Sequence, residues 1–157
     1  GRGMILRFPE FSRDLRRGEE PAVDALLLAA FGDAAQVARI AALRRGGDIA
    51  GEVVLPYRDE IVGYYALATM RAPKGWLCLA AVAIAPDWQG AGHGRRLMGV
   101  LSEWARLSGQ TVIAEGPPSF FERAGFAPAG GRLALAGPTP PDDMAGLVYP
   151  AALAHRA

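Results

Sequence analysis

The spacing of hydrophobic positions changes twice along the chain, and each change predicts a switch of element type. Met4 to Phe8 reads as a short first strand, stopped by Pro9. Pro21 then suits the first turn of a helix, with Glu19 and Glu20 near its positive end, running through "AVDALLLAA" to Gly32. Asp33 predicts an N-cap for a second helix, "AAQVARIAALRR", closed by Gly46 and Gly47. In it Val37, Ile40, Ala41 and Leu43 recur at helical spacing.

After Gly47 the β-branched and aromatic residues take over. "IAGEVVLPY" and "IVGYYALATM" predict two antiparallel strands, with Arg58, Asp59 and Glu60 at the turn. "GWLCLAAVAIAP", Gly75 to Pro86, has almost no polar side chain, which predicts a central strand buried on both faces. A helical pattern returns after the glycines of "DWQGAGHGRRLMGVL". There Leu97, Val100, Leu101, Trp104 and Leu107 predict one apolar stripe against the sheet. "TVIAE" predicts a strand, "PSFFERAG" a short helix, and the tail one or two more strands around a Pro/Gly loop, "GPTPPDD". With no repeat and no boundary, the order of elements predicts a single α/β sheet domain.

Composition narrows the function classes. The chain has 157 residues, enough for one domain with a real core. Seventeen Lys and Arg against sixteen Asp and Glu give a net charge of +1, so neither nucleic acid nor membrane is expected as a partner. The lone Cys78 in an apolar strand predicts a core residue and a reducing, cytoplasmic compartment. With only His93 and His155, no metal site is expected. Gly1 to Gly3 ahead of Met4 read as a cloning remnant, leaving residues 4–157 as the domain.

The candidate chemistry lies in the glycine segment. Three glycines in the five residues from Gly90 to Gly94 stand where the central strand hands over to a helix. The first N–H groups of a helix have no partner inside it and carry partial positive charge. Glycines let an anion approach the backbone, and Arg95 and Arg96 add formal charge. The pattern is a phosphate cradle. It is not a P-loop, which needs Gly-Lys-Ser/Thr, nor a dinucleotide fingerprint, whose third glycine would fall on Arg95.

Gln89-Gly90-Ala91-Gly92-His93-Gly94 resembles the Gln/Arg-x-x-Gly-x-Gly/Ala signature of the GNAT superfamily of N-acetyltransferases. "SFFERAGF", Ser119 to Phe126, resembles its closing Gly-Phe motif, and "GPPSFFERAGF" is most similar to the YhbS-like branch. The resemblance implies the GNAT fold: a mixed, mostly antiparallel central sheet of six to seven strands flanked by about four helices. It implies that acetyl-CoA is the cosubstrate and an amine the acceptor, and it is compatible with a homodimer. The backbone of Val82, Ala83 and Ile84 would pair with the pantetheine arm. Gln89, Gly90, Ala91, Gly92, His93, Gly94 and Arg95 would wrap the pyrophosphate, and Phe120 and Phe121 would flank the thiol end. A backbone N–H near Val82 would face the developing oxyanion.

One departure stands out. The family's usual tyrosine acid, four residues before the Gly-Phe glycine, is Phe121 here, which has no proton to give. The thiolate would leave unassisted or take a proton elsewhere. Otherwise the domain binds CoA with little catalysis, or its more apolar thiol end takes a longer acyl chain. No carboxylate lies in the central strand. Glu52, Asp59, Glu60 and Glu115 are the candidate bases near strand ends, and Tyr57, Tyr64 and Tyr65 the candidate hydroxyls, with Tyr64 and Tyr65 on opposite faces.

Overall fold

The computed structural model describes residues 7–138 and 141–156. The order is β1 (Arg13–Asp14), α1 (Glu20–Phe31), α2 (Ala35–Arg45), β2 (Ile49–Tyr57), β3 (Glu60–Thr69), β4 (Leu77–Ile84), α3 (His93–Ser108), β5 (Val112–Glu115), α4 (Pro118–Arg123), β6 (Ala127–Pro128) and β7 (Leu133–Ala136). The strands form one seven-stranded sheet in the order β1-β2-β3-β4-β5-β7-β6. Only β4 and β5 pair in parallel, so the sheet is mixed and mostly antiparallel.

Local chemistry accounts for the element ends. Pro21 lies in the first turn of α1, and Gly32 ends it in the left-handed conformation with its N–H on the Leu28 carbonyl. Ala34 is the N-cap of α2, yet Asp33 does the capping from one residue earlier, its Oδ1 accepting the Ala35 N–H at 2.9 Å. The β2–β3 hairpin turns through Arg58 and Asp59, with Arg58 at φ 55°.

Two sequence expectations are not matched among the described residues. Of the strand expected at Met4–Phe8, residues 4–6 lie outside the described residues, and Arg7 and Phe8 pair with no strand. The outer edge of β2 pairs with Arg13–Asp14, Arg13 opposite Val54. Pro9 offers no ladder donor, and the chain makes contact first through the Glu10 N–H on the Pro56 carbonyl. The second failure is on α3. Its buried face is Leu97, Met98, Leu101 and Ala105, while Val100, Trp104 and Leu107 stay exposed. The helix turns its small Ala105 and flexible Met98 inward, where they allow close approach to the sheet and α4.

Alternation along β3 and β4 feeds two cores. Tyr64, Ala66 and Ala68 point to the face covered by α1, α2 and Tyr149 and Leu153 of the tail. Tyr65 and Leu67 point to the face covered by α3 and α4. In β4, Ala81 stands opposite Ala66 and Leu79 opposite Leu67, with Ala80 between them: a β-bulge. Just before it, pairing with β5 ends, after only Leu77 with Val112 and Cys78 with Ile113. Beyond that point the two parallel strands part. The gap between them positions the site.

Candidate functional site

The edge of β4 that faces this gap has a definite phase. The Ala85 N–H donates to the Val62 carbonyl at 2.8 Å, which assigns the odd positions of this stretch to the β3 ladder. The N–H and C=O of Val82 therefore point the other way, into the gap, as do those of Ile84. Ile84 carries its own evidence for this: its carbonyl accepts the Gln89 side-chain amide at 2.9 Å. Gln89 is thus a latch that folds the loop back on the end of the strand.

The loop itself is braced from below. Pro86–Trp88 make one 3-10 turn, and Trp88 is buried on Leu55 and Val62. The Arg7 guanidinium covers the Trp88 ring at 4.1 Å and donates to the Asp87 carbonyl. Gly90 and Gly92 have φ of 83° and 86°, a region closed to most side chains. Gly92 is the N-cap of α3 and offers the helix end no side-chain hydrogen bond. The N–H groups of the first turn, from His93 to Arg95, so face outward without partners inside the helix. Arg96 holds the loop from within, donating to the Ala91 carbonyl at 3.0 Å and to His93 Nδ1 at 2.9 Å.

That last contact fixes the His93 tautomer. A guanidinium only donates, so Nδ1 accepts and the ring proton of the neutral form sits on Nε2. Partial burial, then Arg96 and Arg7, hold its pKa below the usual histidine range. The unfolded chain therefore binds more protons near pH 6.5, and the fold loses stability as pH falls through that value. The difference in melting temperature between pH 8 and pH 5.5 should shrink in His93→Gln, measured beside wild type. An unchanged difference would mean that His93 titrates as in the unfolded chain.

Strand edge, loop and helix end enclose a cleft of about 610 Å³. Of the residues expected at the site, Val82, Ala83, Ile84, Gln89, Gly90, Gly92, His93, Gly94, Arg95 and Phe120 line it. Ala91 does not, and neither does Phe121, which is buried against Phe126 and the backbone of Gly116. The sequence reading missed Ser119 and Arg123, which reach the cleft from α4 beside Phe120. Their i, i+4 spacing in a helix was the available signal.

The candidate bases and hydroxyls are elsewhere. Glu52 is held by Arg44 at 2.8 Å and by the Tyr64 hydroxyl at 2.6 Å, on the α1/α2 face. Burial and the Glu52 carboxylate push the Tyr64 phenol far up. Tyr65 lies on the other face, pushed up to about 12 by burial and by Asp14. Tyr57 packs against Trp88 with the rings tilted, centroids 4.7 Å apart. Among the described residues, no carboxylate and no tyrosine lines the cleft. Cys78 is a core residue, as expected, and Trp76 is buried too, whereas Trp88 both packs and lines the cleft.

Residues 38–128 match the family model described as an acetyltransferase (GNAT) domain. The chain belongs to the GNAT family. An uncharacterized N-acetyltransferase of Escherichia coli K12, YjhQ, is 35% identical over 91 residues, 54% of this chain and 50% of that protein. The chain thus spans about half the length of that curated relative. A GNAT family acetyltransferase of Brucella melitensis, solved with acetyl-CoA, superposes with a TM-score of 0.79 at 22% identity, over 94% of this chain and 99% of that one. YhbS of Escherichia coli, solved with CoA, gives 0.76 at 19% identity, over 95% and 93%. The GNAT fold is therefore common to all three, and no helix among the described residues of this GNAT domain is long and apolar enough to cross a membrane.

Proposed function

We propose that the domain transfers the acetyl group of acetyl-CoA to a primary amine by direct attack. The observation that carries this reading is the backbone edge of Val82 beside an uncapped helix end, in one cleft. The amide-bearing pantetheine arm suits the first and the pyrophosphate the second. Acetyl-CoA supplies the activated acyl group.

The chain's part is mainly placement. Val82 presents an N–H to the carbonyl oxygen as charge develops there, and the low-dielectric sheet makes that bond count. Holding the amine in line with the carbonyl removes most of the entropic barrier. With no carboxylate on the cleft among the described residues, the amine arrives neutral, and its proton leaves to water. The thiolate also departs without a tyrosine, which its modest pKa permits. Phe121 favours one second reading, a CoA-binding domain with weak catalysis, because its burial leaves the usual acid position without a proton.

Calorimetric titration with acetyl-CoA and CoA, followed by thiol release with a panel of amines, separates the two. Micromolar binding with amine-dependent thiol release, rising with pH toward the amine's own pKa, is the expected result. Binding without turnover for any amine supports the second reading. Absence of binding would sink both.

A further inference from the structure

We propose that Arg95 and Arg123 form a two-guanidinium clamp for the 3′-phosphate of CoA, so that the domain selects CoA thioesters over their 3′-dephospho forms. The proposal rests on the cleft being the acyl-CoA site.

Both side chains line the cleft, but they come from different helices. Arg95, Gly99 and Ser102 follow one another at i, i+4 and i+7 on one face of α3. That face holds the end of α4: the Ser102 hydroxyl donates to the Ala124 carbonyl at 2.6 Å, and a Cβ on Gly99 would stand 3.9 Å from the same oxygen. Arg123 immediately precedes Ala124, so the two arginines share one rim of the cleft.

Their charges are uncompensated among the described residues. Arg13, Arg44 and Arg106 each pair with a glutamate. Arg96 is occupied by Ala91 and His93. Arg95 and Arg123 have no such carboxylate. The Arg95 head leans over the loop, Nη2 lying 3.5 Å from where a Cβ on Gly92 would be. Two exposed cations on one rim repel each other mildly, and a bound dianion turns that repulsion into attraction.

The direction of the ligand supplies the dianion. With pantetheine along β4 and pyrophosphate at the start of α3, the nucleotide end leaves over the opposite rim, between α3 and α4. A phosphate monoester there carries close to two negative charges near neutral pH. Guanidinium forks match its oxygens better than any other side chain.

The test is titration of wild type, Arg95→Gln and Arg123→Gln with CoA and with 3′-dephospho-CoA, checking each variant's melting temperature. Wild type should prefer CoA by about tenfold or more, the scale of a charged hydrogen bond. Each substitution should weaken CoA more than dephospho-CoA and so lower that preference, while Arg123→Lys should keep part of it. Raising the salt should narrow the wild-type preference. Equal affinity of wild type for both ligands, or a preference surviving both substitutions, overturns the clamp and leaves the transferase reading standing. Failure of wild type to bind either ligand overturns both.

Discussion

Gly94→Leu should weaken acetyl-CoA binding by about a hundredfold or more, a loss near 3 kcal/mol, while the protein still folds and melts close to wild type. Gly94 lies in the first turn of α3 with ordinary helical φ. A Cβ there would stand 3.5 Å from Ile84 Cγ1 and 3.6 Å from the Phe120 ring, which is normal contact. Gly94→Ala therefore fits, and it removes the entropic cost of glycine in a helix, up to about 1 kcal/mol. The further carbons of leucine have only the space between Ile84 and Phe120, and that space is the cleft. The pair of variants separates backbone effects from blockage. Gly92 is the poorer choice: φ is 86°, and a Cβ would meet the Arg96 guanidinium at 2.9 Å, so a substitution disturbs the loop before any ligand arrives. Wild-type affinity in a folded Gly94→Leu protein would show that acetyl-CoA does not lodge at this helix end.

The largest stability effect is expected far from the cleft. Gly137, just past β7, has φ of 86°, and a Cβ on it would run into the Gln110 carbonyl oxygen and lie 2.8 Å from its carbon. Both are backbone atoms, and the Gln110 segment leads directly into β5. Gly137→Ala should therefore destabilise by about 4 kcal/mol or more, a value reserved for severe clashes and strain. At this chain length that lowers the melting temperature by roughly 10 °C or more. Gly130→Ala is the control. Its φ of 102° carries the same kind of strain, but nothing lies within 4 Å of the new methyl. Similar melting temperatures for the two variants would mean that the crossing at Gln110 yields easily, against the close packing described here.

Much of this architecture is legible in the residues. The hairpin from Ile49 to Thr69, the buried strand at Leu77–Ile84 and the glycine-started helix all follow from period and punctuation. What was missed has physical reasons. Arg13–Asp14 has no strand signature, and it is a strand only because the β2 edge accepts it. On α3 the apolar residues cover more than one arc, so counting large hydrophobes selected Val100, Trp104 and Leu107 over Ala105 and Met98. Small residues decide which side can approach a sheet, and a hydrophobicity pattern undervalues them.

The site divides in the same way. The glycine loop was readable because glycines in a row report backbone conformation directly, here the positive φ of Gly90 and Gly92. Adjacent aromatics report nothing of the kind. Phe120 and Phe121 are equivalent in sequence, but only Phe120 faces the cleft, while Phe121 fills the space next to Gly116 and Phe126. Glu52 was a reasonable candidate base until its two partners, Arg44 and Tyr64, appeared from elements 8 and 12 residues away.

The parting of β4 and β5 also has a mechanical side. At the middle of the sheet Leu77 stands beside Val112 and Cys78 beside Ile113, and the Leu77 N–H donates to the Thr111 carbonyl. Four strands lie on one side of that seam and three on the other. α3 and α4 pack in one cluster with residues from both sides of that seam, Leu79 on one and Val112 and Ala114 on the other. A ligand whose arm runs along the free edge of β4 stands where the missing rungs would be. In the proposed pose, acetyl-CoA would then tie the two parts of the sheet together where their own ladder stops.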